Sequence, residues 1–204
     1  MDMDKTTKNI AVLFARKDSI YKQFLNCDVY DIERDARRYQ PGLPIIAHPP
    51  CRAWGKLRGL AKPRPDEKEL AVWSVWKIRE NGGILEHPEG SKLWDELNLP
   101  KGSQVDEFGG WTLKIHQSWF GHLAEKKTLL YICGVSPADI PAYPISLDIP
   151  QRVITNTKRR NGIRIKAGDP GFRTECTKAQ REHTPQALAE WLVLLASKVN
   201  VYEQ

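Results

Sequence analysis

Four short apolar runs between residues 9 and 88 are each followed at once by polar or conformationally restricted residues. They are NIAVLFA (9–15), the start of DVYDIERDARRY (28–39), PIIAHP (44–49) and ILEHP (84–88). Runs this short, rich in Ile, Val and Leu, predict strands buried on both faces. Before the last run, DEKELAVWSVWKIRE (66–80) begins with acids and ends with bases, as a helix dipole prefers. Its apolar stripe is Ala71, Val75 and Ile78, with Val72 and Trp76 beside it, and Gly82 and Gly83 end it. SIYKQFL predicts one or two helical turns, and 28–39 predicts a strand continuing as a charged helix. Strand alternating with helix predicts an α/β fold: a three-layer, Rossmann-like, mostly parallel sheet with helices on both faces.

WTLKIHQSWF and KTLLYICG predict a C-terminal strand pair. Residues 135–181, rich in Pro, Gly and bases, predict an irregular basic insertion within a single domain, 1–204. In the last helix Thr184 is the expected cap, Pro185 the first residue, and Leu188, Trp191, Leu192, Leu195 and Val199 the apolar face.

No run reaches the roughly 18 apolar residues of a membrane span, and MDMDKTTKN lacks the apolar core of a secretory leader, so a cytoplasmic protein is expected. The four cysteines form no C-x-x-C pair, which suits reduced thiols. The net charge of +6 is uneven. From Arg152 to Arg181 nine Lys and Arg face only Asp169 and Glu175, and Arg52, Lys56, Arg58, Lys62 and Arg64 form a second cluster. Such clusters suit a polyanion, and Lys158, Arg159 and Arg160 are the densest part of an expected nucleic-acid surface.

In an open parallel sheet, ligands bind beyond the carboxyl ends of the strands. Those ends carry Phe14 to Asp18, Asp31 and Glu33, His48 to Trp54, and Glu86 to Pro88. Cys51 and Glu86 would face each other from neighbouring strands, a nucleophile beside a carboxyl group. Pro49 and Pro50 restrict the backbone that presents Cys51. Arg52 and Lys56 are expected to favour its thiolate.

PIIAHPPC resembles the nucleophile motif of the cytosine-C5 DNA methyltransferases, a strand followed by Pro-Pro-Cys, especially in small phage or prophage forms. GGILEHPEGSKLW resembles the next motif, in which a strand ends in Glu-Asn. QSWFGHLAEKKTLLYICG is similar to the later strand pair, and the final helix to the family's C-terminal helix. The resemblance spans most of the chain in order. It implies a class I methyltransferase-type fold, a transferase acting on DNA, and S-adenosyl-L-methionine as cofactor, with no metal. Cys51 would add to carbon 6 of the base, making carbon 5 nucleophilic, while Glu86 holds the N3 edge and stabilises a proton there. A base in a duplex must first be flipped out. On this reading Phe14, Ala15, Asp31, Glu33 and Pro49 serve the cofactor, with Asp31 or Glu33 on its ribose. Pro50, Arg52, Trp54 and His87, with the basic Lys158, Arg159 and Arg160, serve the substrate.

The chain departs from the family in places. LFARKDSIY has no glycine where the backbone should approach the cofactor, which predicts weak binding of S-adenosylmethionine, or another ligand with an anionic group on Arg16 or Lys17. His87 replaces the Asn, Arg52 and Gly55 stand where Gln and Ser are usual, and KIHQSWFGHLAEKKT lacks the base-contact arginines. Two alternatives therefore stand: a lapsed relative that binds nucleic acid or a host protein, and a same-fold enzyme using another donor or a metal. His48, His87, His116 and His122 with Cys51 are the candidate zinc ligands, and HPE echoes the H-x-E of zinc deaminases without its P-C-x-x-C partner. Trp54 and Trp111 are candidates for stacking on a base, whereas Trp73 and Trp76 read as core.

Overall fold

The computed structural model describes residues 9–56, 58–155, 162–163 and 165–200. Six strands form one mixed sheet in an α/β fold: β1 (Ile10–Leu13), β2 (Cys27–Tyr30), β3 (Ile45–Ala47), β4 (Gly83–Pro88), β5 (Trp111–His116) and β6 (Lys127–Cys133). Their order is β2-β1-β3-β4-β6-β5. The first four strands run parallel, and β6 is antiparallel to both β4 and β5. The expected strand pair therefore extends the sheet, and its reversed β6 makes the sheet mixed.

Alternate residues of each strand point to opposite faces. Ala11, Leu13, Ile45, Ala47 and Leu85 meet Ala71, Val75 and Ile78 of helix α1 (Glu67–Asn81). Ile10, Val12, Ile46 and Ile84 meet Leu188, Leu192 and Leu195 of helix α4 (Gln186–Ala196). One helix thus covers each face of the central strands. Two short helices, α2 (Leu93–Glu96) and α3 (Lys178–Glu182), complete the set among the described residues. None of these helices is long and apolar enough to cross a membrane.

Gly82 ends α1 at φ +72° and Gly83 starts β4 at φ +135°, conformations that favour glycine. A Cβ on Gly83 would lie 2.1 Å from the Ile45 carbonyl oxygen of the paired strand. Gly83→Ala is therefore expected to destabilise the fold by on the order of 3 kcal/mol, read as a lowered urea midpoint. An unchanged midpoint would mean that β3 and β4 can separate freely.

Three local expectations are corrected. Residues 28–39 do not continue as a helix; after β2 only a 3-10 turn forms, Ala36–Arg38. Asp31 takes the backbone N–H groups of Glu33 and Arg34, Asp35 takes that of Arg37, and Asp35 itself sits at φ +55°. Side chains thus capture the donors a helix would need. Helix α4 starts at Gln186 with Pro185, not Thr184, in the capping position, and Val199 packs beyond its end. Trp76 is not core: it is 43% exposed, lying against Phe108 and Arg79, whereas half-buried Trp73 meets Phe14. Among the described residues of 135–181, a 3-10 turn (Pro137–Asp139) and the start of α3 are helical; one isolated bridge joins Arg152 to Ala124, and another, Val153 to Glu175, lies within the region.

Candidate active site

Beyond β3 the chain keeps one more sheet hydrogen bond, from His48 N–H to the Leu13 carbonyl (3.0 Å), and then turns. Buried Pro49 and half-buried Pro50 lead to Cys51, whose carbonyl accepts from the N–H groups of Trp54 (3.0 Å) and Gly55 (2.8 Å). Trp54 anchors this turn: its indole is buried and donates to the Lys68 carbonyl at 3.1 Å. Cys51 is exposed, while Cys27, Cys133 and Cys176 are buried.

On the neighbouring strand Glu86 is only 14% exposed and held on both oxygens. His48 Nδ1 lies 3.1 Å from Oε2, Gln117 Nε2 donates to Oε1 at 2.9 Å, and the Thr128 hydroxyl reaches Oε1 at 3.4 Å. Behind His48, its Nε2 meets the Tyr21 hydroxyl at 3.1 Å. Burial alone would raise the Glu86 pKa. The Lys126 ammonium and the His48 hydrogen bond outweigh it and hold the carboxyl at about 2, so Glu86 is a fixed anion. Gln117 also donates to Thr128 (3.0 Å), which fixes its amide orientation.

Among the described residues, two buried side-chain polar atoms have no hydrogen-bond partner, His87 Nε2 and Gln117 Oε1. One belongs to the chain neighbour of Glu86 and the other to its hydrogen-bond donor. His87 points to the α1 face, against Trp94, and its ring also interacts with the Pro50 backbone, so Gln117 Oε1 is the unpaired polar atom that sits next to the Glu86 carboxylate.

The expected thiolate is corrected. Although Cys51 is exposed, crowding of protein around its sulfur raises the thiol pKa, and the Glu86 carboxylate raises it further; Lys126 pulls the other way. Arg52 is turned aside into an ion pair with Glu67 at the start of α1. The stem of Lys56 lies across Gly90. At rest Cys51 is a thiol, and Lys126 is the cation that acts on it.

The cofactor candidates lie at the ends of β1, β2 and β3, and their polar groups are engaged within the protein. Phe14 adopts φ +60°, a left-handed conformation in the place of a glycine, with its ring against Trp73. Ala15 is buried and hydrogen-bonded to the Tyr30 carbonyl. Asp31 is 7% exposed and bound to Lys22 at 2.6 Å, which lowers its pKa. Glu33 pairs with Lys17 at 2.6 Å, and Arg16 pairs with Asp18 and Glu182 at 2.8 and 3.1 Å. With Phe14 in the place of a glycine and Asp31 held in its buried pair with Lys22, these residues fit S-adenosylmethionine poorly, although exposed Glu33 is still accessible. Calorimetry is expected to show at most weak binding of that compound; tight binding would overturn this.

Other assignments also change. Trp54 and Trp111 are core residues, 1% and 6% exposed, with their indoles bonded to the Lys68 and Val135 carbonyls, so neither offers a face to a base. His87 is buried against Trp94, 2.7 Å from Ser91 Oγ, and supports the site from beneath instead of touching a substrate. The candidate zinc ligands have separate partners: His116 lies 3.2 Å from Glu125, and buried His122 contacts the Ala124 and Gln180 carbonyls. Among the described residues no three His, Cys, Asp or Glu are grouped to hold a metal. Lys158, Arg159 and Arg160 lie outside the described residues.

Gln117, Thr128 and Lys126 were missed by the sequence reading, and Tyr21 was noted only as part of a helical turn. Gln117 follows the end of β5 and was discoverable by the same strand-end rule. Thr128 and Lys126 lie at the start of β6, which reaches the rim only because β6 is reversed. Neither a comparison with protein-family models nor one with curated proteins returns a match.

Proposed function

We propose that this site forms a covalent bond between Cys51 and carbon 6 of a cytosine-type pyrimidine, as the first half of a transfer to carbon 5. The observation that carries the reading is the exposed Cys51 within electrostatic reach of a buried, ionised Glu86, whose donor Gln117 keeps an unpaired carbonyl oxygen. Parallel strands followed by an antiparallel pair also agree with the class I methyltransferase-type sheet that the sequence resemblance implies.

In the step, a sulfur electron pair makes the S–C6 bond. The C5–C6 π pair moves between C4 and C5, and the C4–N3 π pair moves onto N3, which takes a proton. The thiol gives up a proton, so charge balances when one proton leaves sulfur and one arrives at N3. Once N3 carries its proton, the Glu86 carboxylate accepts from that N–H and stabilises it, and His48 and Gln117 keep the carboxylate from rotating. The adduct is an enamine, nucleophilic at carbon 5. DNA is the proposed carrier of the base, and the group transferred belongs to a donor other than one cradled by glycines after β1.

A second reading has its own support. Phe14 packed on Trp73 and Asp31 paired with Lys22 fit a relative that retains nucleic-acid binding without transfer. Mass spectrometry after incubation with a 5-fluorocytosine oligonucleotide separates the two. An adduct on Cys51 supports the chemistry; binding without an adduct, also when cell extract supplies donors, supports the lapsed relative.

A further inference from the structure

A cleft of about 680 Å³ opens on the α1 face of the sheet, over β5 and β6 and between Lys56 and the 89–102 segment. Lys56, Arg58, Lys92, Lys101 and Lys114 line it, against the two acids Glu89 and Asp95. Asp95 holds Lys92 at 3.1 Å and Lys101 at 2.7 Å, and Glu89 holds Lys114. The acids therefore fix three ammonium groups along the walls without cancelling the charge. Among the described residues Lys56 and Arg58 have no carboxylate ion-pair partner, and the cleft stays cationic.

Trp94, in the wall, is 2% exposed, with its indole donating to Thr112 at 2.9 Å. It offers no stacking face, so the cleft suits phosphates better than bases. Glu86 points to the opposite, α4 face, so a nucleic-acid strand seated here would reach the candidate site round the rim of the sheet, along the 51–56 turn. Lys56 follows the turn closed on the Cys51 carbonyl, and its stem crosses Gly90, where a Cβ would lie 2.4 Å from Lys56 Cγ. Chain length alone keeps the Gly90 backbone within about 14 Å of Glu86 and that of Lys56 within about 18 Å of Cys51.

We propose that this cleft holds the phosphates of a nucleic-acid strand while one of its pyrimidines enters the Cys51 site. The inference rests on the pyrimidine reading for its second half, whereas the binding stands by itself. Each lysine–phosphate contact releases counterions, so affinity should fall steeply with salt. The test is fluorescence anisotropy with a short labelled cytosine-containing single strand, titrated at several salt concentrations. Wild type is compared with the triple variant Lys92→Ala, Lys101→Ala, Lys114→Ala and with the single variant Lys101→Gln, whose exposed position keeps the fold intact. The expected result is a log–log salt slope shallower by about 1 for each phosphate contact removed. Deoxycytidine triphosphate should compete poorly with the strand.

Equal slopes, or no binding by wild type, would overturn the proposal. Competition by the triphosphate as strong as by the strand would also overturn it, assigning the cleft to a free nucleotide. An adduct on Cys51 with unchanged slopes sinks the cleft alone. Changed slopes without any adduct sink the pyrimidine chemistry alone.

Discussion

Cys51→Ala is expected to reduce adduct formation with a 5-fluorocytosine oligonucleotide to background while leaving the protein as stable as wild type. The residue is exposed, so removing its sulfur opens no core cavity, and a change within about 0.5 kcal/mol is expected. The other three cysteines are buried and cannot substitute without unfolding. The pH profile adds a second readout. Crowding of protein around the sulfur and the Glu86 charge raise the thiol pKa, so reaction with a small alkylating agent should reach half its maximum at a pH above the value of about 8.5 at which an ordinary thiol is half ionised. Lys126→Met removes the opposing cation and should push the profile higher. An adduct on another cysteine, or full activity in Cys51→Ala, would make Cys51 structural.

The parts legible in the sequence and the parts that were not differ by a physical criterion. β1, β3, β4, α1 and α4 were readable because burial on a flat sheet or a single stripe imposes a local period. Their residues, Ile45 or Val75 for example, are chosen by the core. Cys51 and Glu86 were readable as the ends of those same strands. Gln117, Thr128 and Lys126 were not, because their role depends on β6 running backwards between β4 and β5, a property of pairing and not of local sequence. The error at Trp54 has the same origin. A tryptophan among Arg, Gly and Lys looks exposed, yet α1 covers it and the Lys68 carbonyl takes its N–H. Arg52 misled because its partner, Glu67, is distant in sequence. Residues 28–39 misled for the opposite reason, since their acids find backbone partners two or three residues away.

The final expectation concerns acid stability and follows from two adjacent residues, Glu86 and His87. Burial pushes the His87 pKa down to about 4, with the Glu86 carboxylate opposing. Lys126 and His48, against burial, hold Glu86 at about 2. Each value lies below that of the unfolded chain, so the unfolded state binds more protons and each group's contribution is lost as pH falls. For His87 the contribution is complete above about pH 6.5 and disappears toward pH 4; for Glu86 it is complete above about pH 4.5 and disappears toward pH 2. Displacements of this size correspond to on the order of 3 kcal/mol for each group taken alone. Urea unfolding of wild type should therefore weaken in two stages, the first beginning near neutrality, well above the range of ordinary carboxylates. His87→Asn keeps a donor toward Ser91 Oγ and removes the titrating ring, so it should flatten the first stage. Glu86→Gln should flatten the second, at a cost of about 1–3 kcal/mol near neutral pH, because its amide sets a donor against the donors of His48 or Gln117. It should also abolish the adduct, since a neutral amide cannot stabilise the proton on N3. If all three proteins show parallel pH profiles, neither residue is held in the state that its surroundings impose, and Glu86 loses its claim to the pyrimidine edge.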